Sequence, residues 1–254
     1  MKITSKIIDA HMHLSTNYHS FVEKKKALID EMDRNGICKG IIISDSELIS
    51  SIGNLKECVE LFEDCGRIAV VGGISPFINF DKQLKMLECF ISDKKIVGIK
   101  LYCGHEPIFL NDKALKLVYR LAERYDLPIL FHSGWDNSQY SSPEIIKNTA
   151  EKYSSIRLIC CHCCYPNLKE CFDVLAKHDN VQFDISSVAD GDAVNIKHTL
   201  EKAIHKMPER FIFGSDYGCC NQAKHIEFCN GLDISDYEKE MLFYKNAEQI
   251  YFGK

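Results

Sequence analysis

At 254 residues the chain is longer than most single domains and has the usual size of an α/β barrel. Hydrophobic residues make up 46% and charged residues 26%, with a formal net charge of -5, so a large core is available and the basic excess of a nucleic-acid binder is missing. The thirteen cysteines are an odd number in a long, regularly patterned chain, which excludes a fully paired disulfide scaffold and predicts a reduced, cytoplasmic protein with small buried thiols.

Short apolar runs alternate eight times with amphipathic stretches. Strands are predicted at Ile7–Ala10, Gly40–Ser44, Ile68–Gly72, Val97–Leu101, Pro128–His132, Ile156–Cys161, Val181–Ile185 and Phe211–Gly214. Most are β-branched and apolar at successive positions, as strands buried on both faces of a parallel sheet must be. Between them, Asp112–Arg124 shows the helical signature, with Leu115, Val118, Leu121 and Ala122 on one face and Lys113, Lys116, Arg120 and Glu123 on the other. Asn35-Gly36 and Cys65-Gly66 mark helix ends, and Asp126-Leu127-Pro128 ends another helix and opens strand five. The segment from Cys219 to Lys254 is expected to form two or three helices beyond the last strand. With no linker, repeat or low-complexity tract, residues 1–254 are expected to form one (β/α)₈ TIM barrel with extra C-terminal helices. The N-terminus lacks the apolar run of a secretory signal, and nowhere do about 18 apolar residues follow one another, so no membrane association is expected.

Active sites of such barrels lie at the C-terminal ends of the strands. Strand one ends in Asp9-Ala10-His11-Met12-His13, strand five in His132, strand six in Cys160-Cys161-His162, and strand eight in Gly214-Ser215-Asp216. Alternation along a strand puts His11 and His13 on one side, where two imidazoles make a bidentate cation site. His132 and Asp216 can complete a nitrogen and oxygen shell around one divalent ion per chain, for which zinc is the expected metal. Alternation also puts Asp9 on the face of His11 and His13, either bonding a ligand histidine or paired with Lys100. In the run Cys160-Cys161-His162-Cys163-Cys164, it puts Cys160 and Cys164 with His162 and turns Cys161 and Cys163 away, against convergence on one ion. Tyr102, His105, Glu106, Trp135 and Asp136 fall in the loops after strands four and five, with Tyr102 and Trp135 the expected substrate contacts. None of the six arginines falls at the end of a strand, so a neutral or singly charged small-molecule substrate is expected rather than a polyanion.

The ordered set IIDAHMHL, GIKLYCG, LPILFHSG, LICCHCCYPN, NVQFDIS, RFIFGSDYG and NAEQIYF resembles the amidohydrolase superfamily, in its amidohydrolase-related branch that also contains metal-dependent decarboxylases. The resemblance runs nearly end to end. It implies that His11, His13, His132 and Asp216 bind the metal, that Asp216 takes the proton of an attacking water, and that His162 is either an acid–base group or a ligand of a second metal. It leaves Lys100, in the GxKxY pattern, unmodified rather than bridging two ions. The leading expectation is hydrolysis of an amide, ester or lactone of a small metabolite by a metal-activated water. Decarboxylation on the same site is the alternative, and a non-catalytic metal-binding barrel is the third reading. By analogy with the branch the chain is expected to be a homo-oligomer, a dimer first.

Overall fold

In a computed structural model of the chain, which describes residues 6–50, 52–136, 138–190 and 193–253, eight parallel strands form one sheet in sequential order. They are β1 (Ile7–Met12), β2 (Ile37–Ile43), β3 (Ile68–Gly73), β4 (Gly98–Leu101), β5 (Ile129–Phe131), β6 (Leu158–Cys161), β7 (Val181–Asp184) and β8 (Phe211–Ile212). All eight lie where the apolar runs predict them. Most are trimmed by a residue or two, and β2 begins three residues early at Ile37.

Seven helices return the chain between the strands: α1 (Phe21–Arg34), α2 (Leu55–Phe62), α3 (Phe80–Ser92), α4 (Lys116–Tyr125), α5 (Pro143–Lys152), α6 (Leu168–Leu175) and α7 (Ala193–Lys206). Capping boxes start two of them, Ser20 with Glu23 on α1 and Asn54 with Glu57 on α2, each satisfying amides that the first turn leaves unpaired. Asp112 caps a short 3₁₀ turn that runs into α4, so the predicted segment Asp112–Arg124 is helical in two pieces. After β8 come α8 (Gln222–Asn230), α9 (Asp236–Glu240) and α10 (Asn246–Tyr251), the last two joined through a π-helical turn at Met241–Lys245. No helix among the described residues is long and apolar enough to cross a membrane.

The core has the two layers a barrel requires. Ile8, Ile41, Val71, Leu130, Ile159 and Ile212 fill the interior, while the larger cluster packs between strands and helices around residues such as Met12, Leu28, Phe131 and Phe183. The sheet closes through main-chain hydrogen bonds beyond β8: Ala10 N–H donates to Phe213 O at 2.9 Å, Asp216 N–H to His11 O at 2.8 Å, and His13 N–H to Tyr217 O at 2.7 Å. Barrel closure is therefore what carries Asp216 to the end of β1.

β1 is not a regular strand. Asp9 pairs with Gly40 and Met12 with Ile42, so three steps on β1 face two on β2. This bulge reverses the alternation. Ile8 and Ala10 point into the barrel, yet beyond the bulge His11 and His13 do so too, and Met12 joins the outer layer. Asp9 is left on the outer side, which corrects the expectation that it shares a face with the histidines. Among the described residues it makes no ion pair with Lys100 and no hydrogen bond to an imidazole; its carboxylate accepts from His11 N, Ser215 N, Ser215 Oγ and Gln222 Nε2. Burial pushes it up to about 7 against those four hydrogen bonds.

Candidate functional site

A cavity of about 440 Å³ opens at the C-terminal ends of the strands, large enough for a small metabolite. Its wall includes His11, His13, His132, His162 and Asp216, together with Lys100 and His105. Glycine allows the closest approach. A Cβ on Gly214 would stand 2.5 Å from Asp184 Oδ1 and 2.6 Å from His11 Cβ, so no other residue lets β8 pass this near to β1 and β7. Several strand ends also adopt the left-handed backbone that side chains disfavour: His162 (φ 64), Ser187 (φ 61) and Asp216 (φ 61). Such strain concentrates where a constellation has to be held against local preference.

Three donors converge. His11 Nε2 lies 3.2 Å from His13 Nε2, and each is 3.6 Å from Asp216 Oδ1. Donors bound at about 2.1 Å to one tetrahedral ion stand about 3.4 Å apart, so this set fits a divalent cation. The opposite ring nitrogens orient it. His11 Nδ1 contacts the Asp184 carboxylate and lies 3.1 Å from Ser186 Oγ, His13 Nδ1 is 3.1 Å from Ile43 O, and His162 Nδ1 is 3.1 Å from Ser186 O. With Nδ1 donating outward, the Nε2 lone pairs of His11 and His13 are left for a ligand. His132 stands further off on the same wall, its ring 5.0 Å from that of His162 and 4.1 Å from that of His105. It does not belong to the tight group of His11, His13 and Asp216, whose donor atoms all lie within 4.8 Å of one another.

Electrostatics favours the forms a metal needs. Burial holds His11 and His132 well below the ordinary histidine value and lowers His13 and His162 as well, keeping the imidazoles neutral. Burial would push Asp216 up, but His11, His162, His13 and the Ser187 hydroxyl outweigh it and hold the carboxyl below its usual range.

The expected substrate contacts fare differently. The Tyr102 ring lines the cavity, but its hydroxyl is engaged with Ser44 O at 2.7 Å. Trp135 lines the mouth, 40% exposed, with its ring 4.3 Å from that of Tyr165. His105 and Asp136 also face the cavity, whereas Glu106 is buried against Ser46 outside it. No arginine among the described residues lines it. Lys100 does: it is 1% exposed, its Nζ donates to Cys161 Sγ at 3.1 Å, and among the described residues it pairs with no carboxylate. Cys161 therefore faces inward, while Cys160 and Cys164 lie behind the strands, the reverse of the expected sides. The reason is that β6 stops at Cys161 and the next three residues are left-handed, which ends the alternation before His162.

Sequence reasoning did not single out Asp184, Ser186 or Ser187. Asp184 ends β7, and the strand-end rule that finds His11, His132 and Asp216 would have found it too.

Comparisons with known proteins agree with this architecture. No curated protein matches the sequence. Among solved structures, an uncharacterised TIM-barrel protein from Bordetella bronchiseptica superposes with a TM-score of 0.79 at 18% identity, covering 96% of this chain and 98% of that one. The 2,6-dihydroxybenzoate decarboxylase of Rhizobium gives 0.68 at 14% identity over 97% and 98%. The 5-carboxyvanillate decarboxylase of Novosphingobium aromaticivorans, in complex with manganese and 4-hydroxy-3-methoxy-5-nitrobenzoic acid, gives 0.70 at 12% identity over 98% and 96%. At these identities the likeness is one of fold. The amidohydrolase family profile matches residues 62–253, from the end of α2 to the C-terminus, and the chain belongs to that family.

Proposed function

We propose that the chain is a metal-dependent decarboxylase of a small monocarboxylic acid, with His11, His13 and Asp216 holding a divalent ion and His132 and His162 beside it. The observation that carries this reading is Lys100. A buried cation with no carboxylate partner is costly, and it becomes favourable when an anion enters beside it. Together with a divalent ion it outweighs Asp216 and Asp136, the carboxylates that line the cavity among the described residues, and leaves the wall positive. A single lysine, with no arginine, suits one negative charge rather than two.

An ion bound there would supply Lewis acidity toward substrate oxygens. Zinc and manganese are both compatible with a nitrogen and oxygen donor set, and the manganese in the Novosphingobium decarboxylase favours keeping both. Lys100 balances the substrate's charge, first on the carboxylate and then, after the carbon–carbon pair has stayed with the substrate, on its conjugated oxygen. Carbon dioxide leaves neutral and a proton takes its place on carbon. His162 can relay that proton from solvent through Nε2, whose lone pair is free because the Nδ1 proton is committed to Ser186 O. Trp135 and the Tyr102 ring would wall the cavity around a flat substrate.

Hydrolysis is the second reading, favoured by Asp216: a carboxylate held ionised beside the metal ligands is placed to accept a proton from water. The test is a paired screen of metal-loaded protein, with aromatic and unsaturated monocarboxylic acids in one arm and lactones, esters and amides in the other. Carbon dioxide release is the expected result. Hydrolysis without decarboxylation of any acid would replace the first reading by the second.

A further inference from the structure

At the cysteine-rich end of β6, Cys161 is tied to the cavity through its hydrogen bond from Lys100. Behind the barrel wall, Cys160, the left-handed Cys164 and Cys171 of α6 bring three sulfurs within 4.8 Å of one another, with Cys160 Sγ and Cys164 Sγ 3.8 Å apart. All three are buried, and none lines the cavity. Four thiolate or oxygen donors around a tetrahedral zinc, with zinc–sulfur bonds of about 2.3 Å, put neighbouring sulfurs about 3.8 Å apart. Ser133 supplies an oxygen in the same place: fully buried, its Oγ is 3.2 Å from Cys160 Sγ and accepts from Cys164 N–H at 3.0 Å.

We propose that Cys160, Cys164 and Cys171, with Ser133 Oγ as the fourth donor, form a closed structural zinc site separate from the cavity. Small apolar packing alone would not require Cys164 to take up a left-handed conformation, yet that turn is what folds its sulfur back onto Cys160. The three cysteines come from a strand end, a turn and a helix, so an ion there would tie β6 to α6. A divalent ion also cancels two of the three thiolate charges, which a buried site needs and a monovalent ion would leave largely uncompensated. Binding releases the thiol protons to solvent and involves no change of oxidation state.

The full chain, produced in zinc-supplemented medium and purified under reducing conditions, tests this by zinc K-edge absorption and metal counting. The wild type should show zinc with sulfur neighbours at about 2.3 Å. The His11→Asn/His13→Asn double variant should keep that sulfur-bound zinc, and adding Cys171→Ala should remove it. Zinc without sulfur neighbours in the wild type would overturn the proposal, and so would a sulfur-bound ion that survives Cys171→Ala. The wild-type spectrum stands alone should a variant fail to fold, because no other group of three cysteines among the described residues converges in this way.

Discussion

Replacing Lys100 with methionine asks whether this cation is there for a substrate. The side chain is 1% exposed and its one hydrogen-bond partner among the described residues is Cys161 Sγ at 3.1 Å, so methionine can follow nearly the same path with an apolar end. On the protein alone the change removes an unpaired buried charge and one hydrogen bond to a thiol. The hydrogen bond is worth about 1 kcal/mol, and the relief from burying a charge is of the same order or larger, so stability should be unchanged or rise. On the substrate the sign reverses. A charge-assisted hydrogen bond contributes roughly 1.5–3 kcal/mol, and at about 1.4 kcal/mol per factor of ten the loss in kcat/KM should be about ten- to a hundred-fold. If Lys100 holds the charge equally before and during bond cleavage, the loss falls mainly on KM. The assay is steady-state carbon dioxide release, with competition by a carboxylate analogue and by its neutral amide. The carboxylate should weaken by the same factor and the amide should not. Unchanged kcat/KM for an acid that the wild type decarboxylates, in a variant that melts at the same temperature or higher, would refute the anion-holding role.

Four further outcomes follow from the same geometry. Asp216→Asn should abolish turnover while most of the metal is retained, because His11 and His13 remain; metal analysis beside activity checks this, and retained activity would reject a chemical role for Asp216. Asp184→Ala removes the acceptor that orients His11 and should weaken metal affinity about ten- to a hundred-fold, read by competition with a chromophoric chelator. Gly214→Ala forces a methyl group to within 2.5 Å of Asp184 Oδ1 and should destabilise the fold by about 1–3 kcal/mol in denaturant unfolding while lowering metal content; a neutral result would mean that β8 can retreat from β1. In the metal-free protein, the buried His11, His13, His132 and His162 bind protons more weakly than their ordinary value of 6.5, so the unfolded chain takes up more protons as pH falls below 6.5. Histidine-linked stability is therefore present above that pH and lost progressively below it, and excess metal should offset the loss. Unfolding midpoints with chelator, compared on either side of pH 6.5, measure it.

How far the site could be read from the residues depends on what strand alternation can and cannot carry. The eight strands were legible because a parallel strand covered on both faces has to be apolar at successive positions, and few other segments are. His11, His13, His132, His162 and Asp216 were legible as a group because each closes a strand at the same end of the barrel, which requires knowing where strands stop and nothing about their pairing. Orientation was legible only where the backbone stays regular. One extra residue between Asp9 and Met12 turns Asp9 out to Ser215 and Gln222, and three left-handed residues from His162 to Cys164 exchange the sides expected for Cys160 and Cys161. Neither irregularity has a glycine or proline to announce it: the bulge lies in Asp-Ala-His-Met and the left-handed run in His-Cys-Cys. What holds them is tertiary, namely the hydrogen bonds that close β1 on the residues after β8 and the Ser133 hydroxyl bonded to Cys164 N–H. Departures from regular strand thus coincide with the groups that carry chemistry, since two imidazoles and a carboxylate from opposite ends of the chain meet only if the backbone leaves its preferred path. The same logic gives Lys100 its weight: it sits on a regular strand, pointing where alternation puts it, and what it lacks among the described residues is a carboxylate partner.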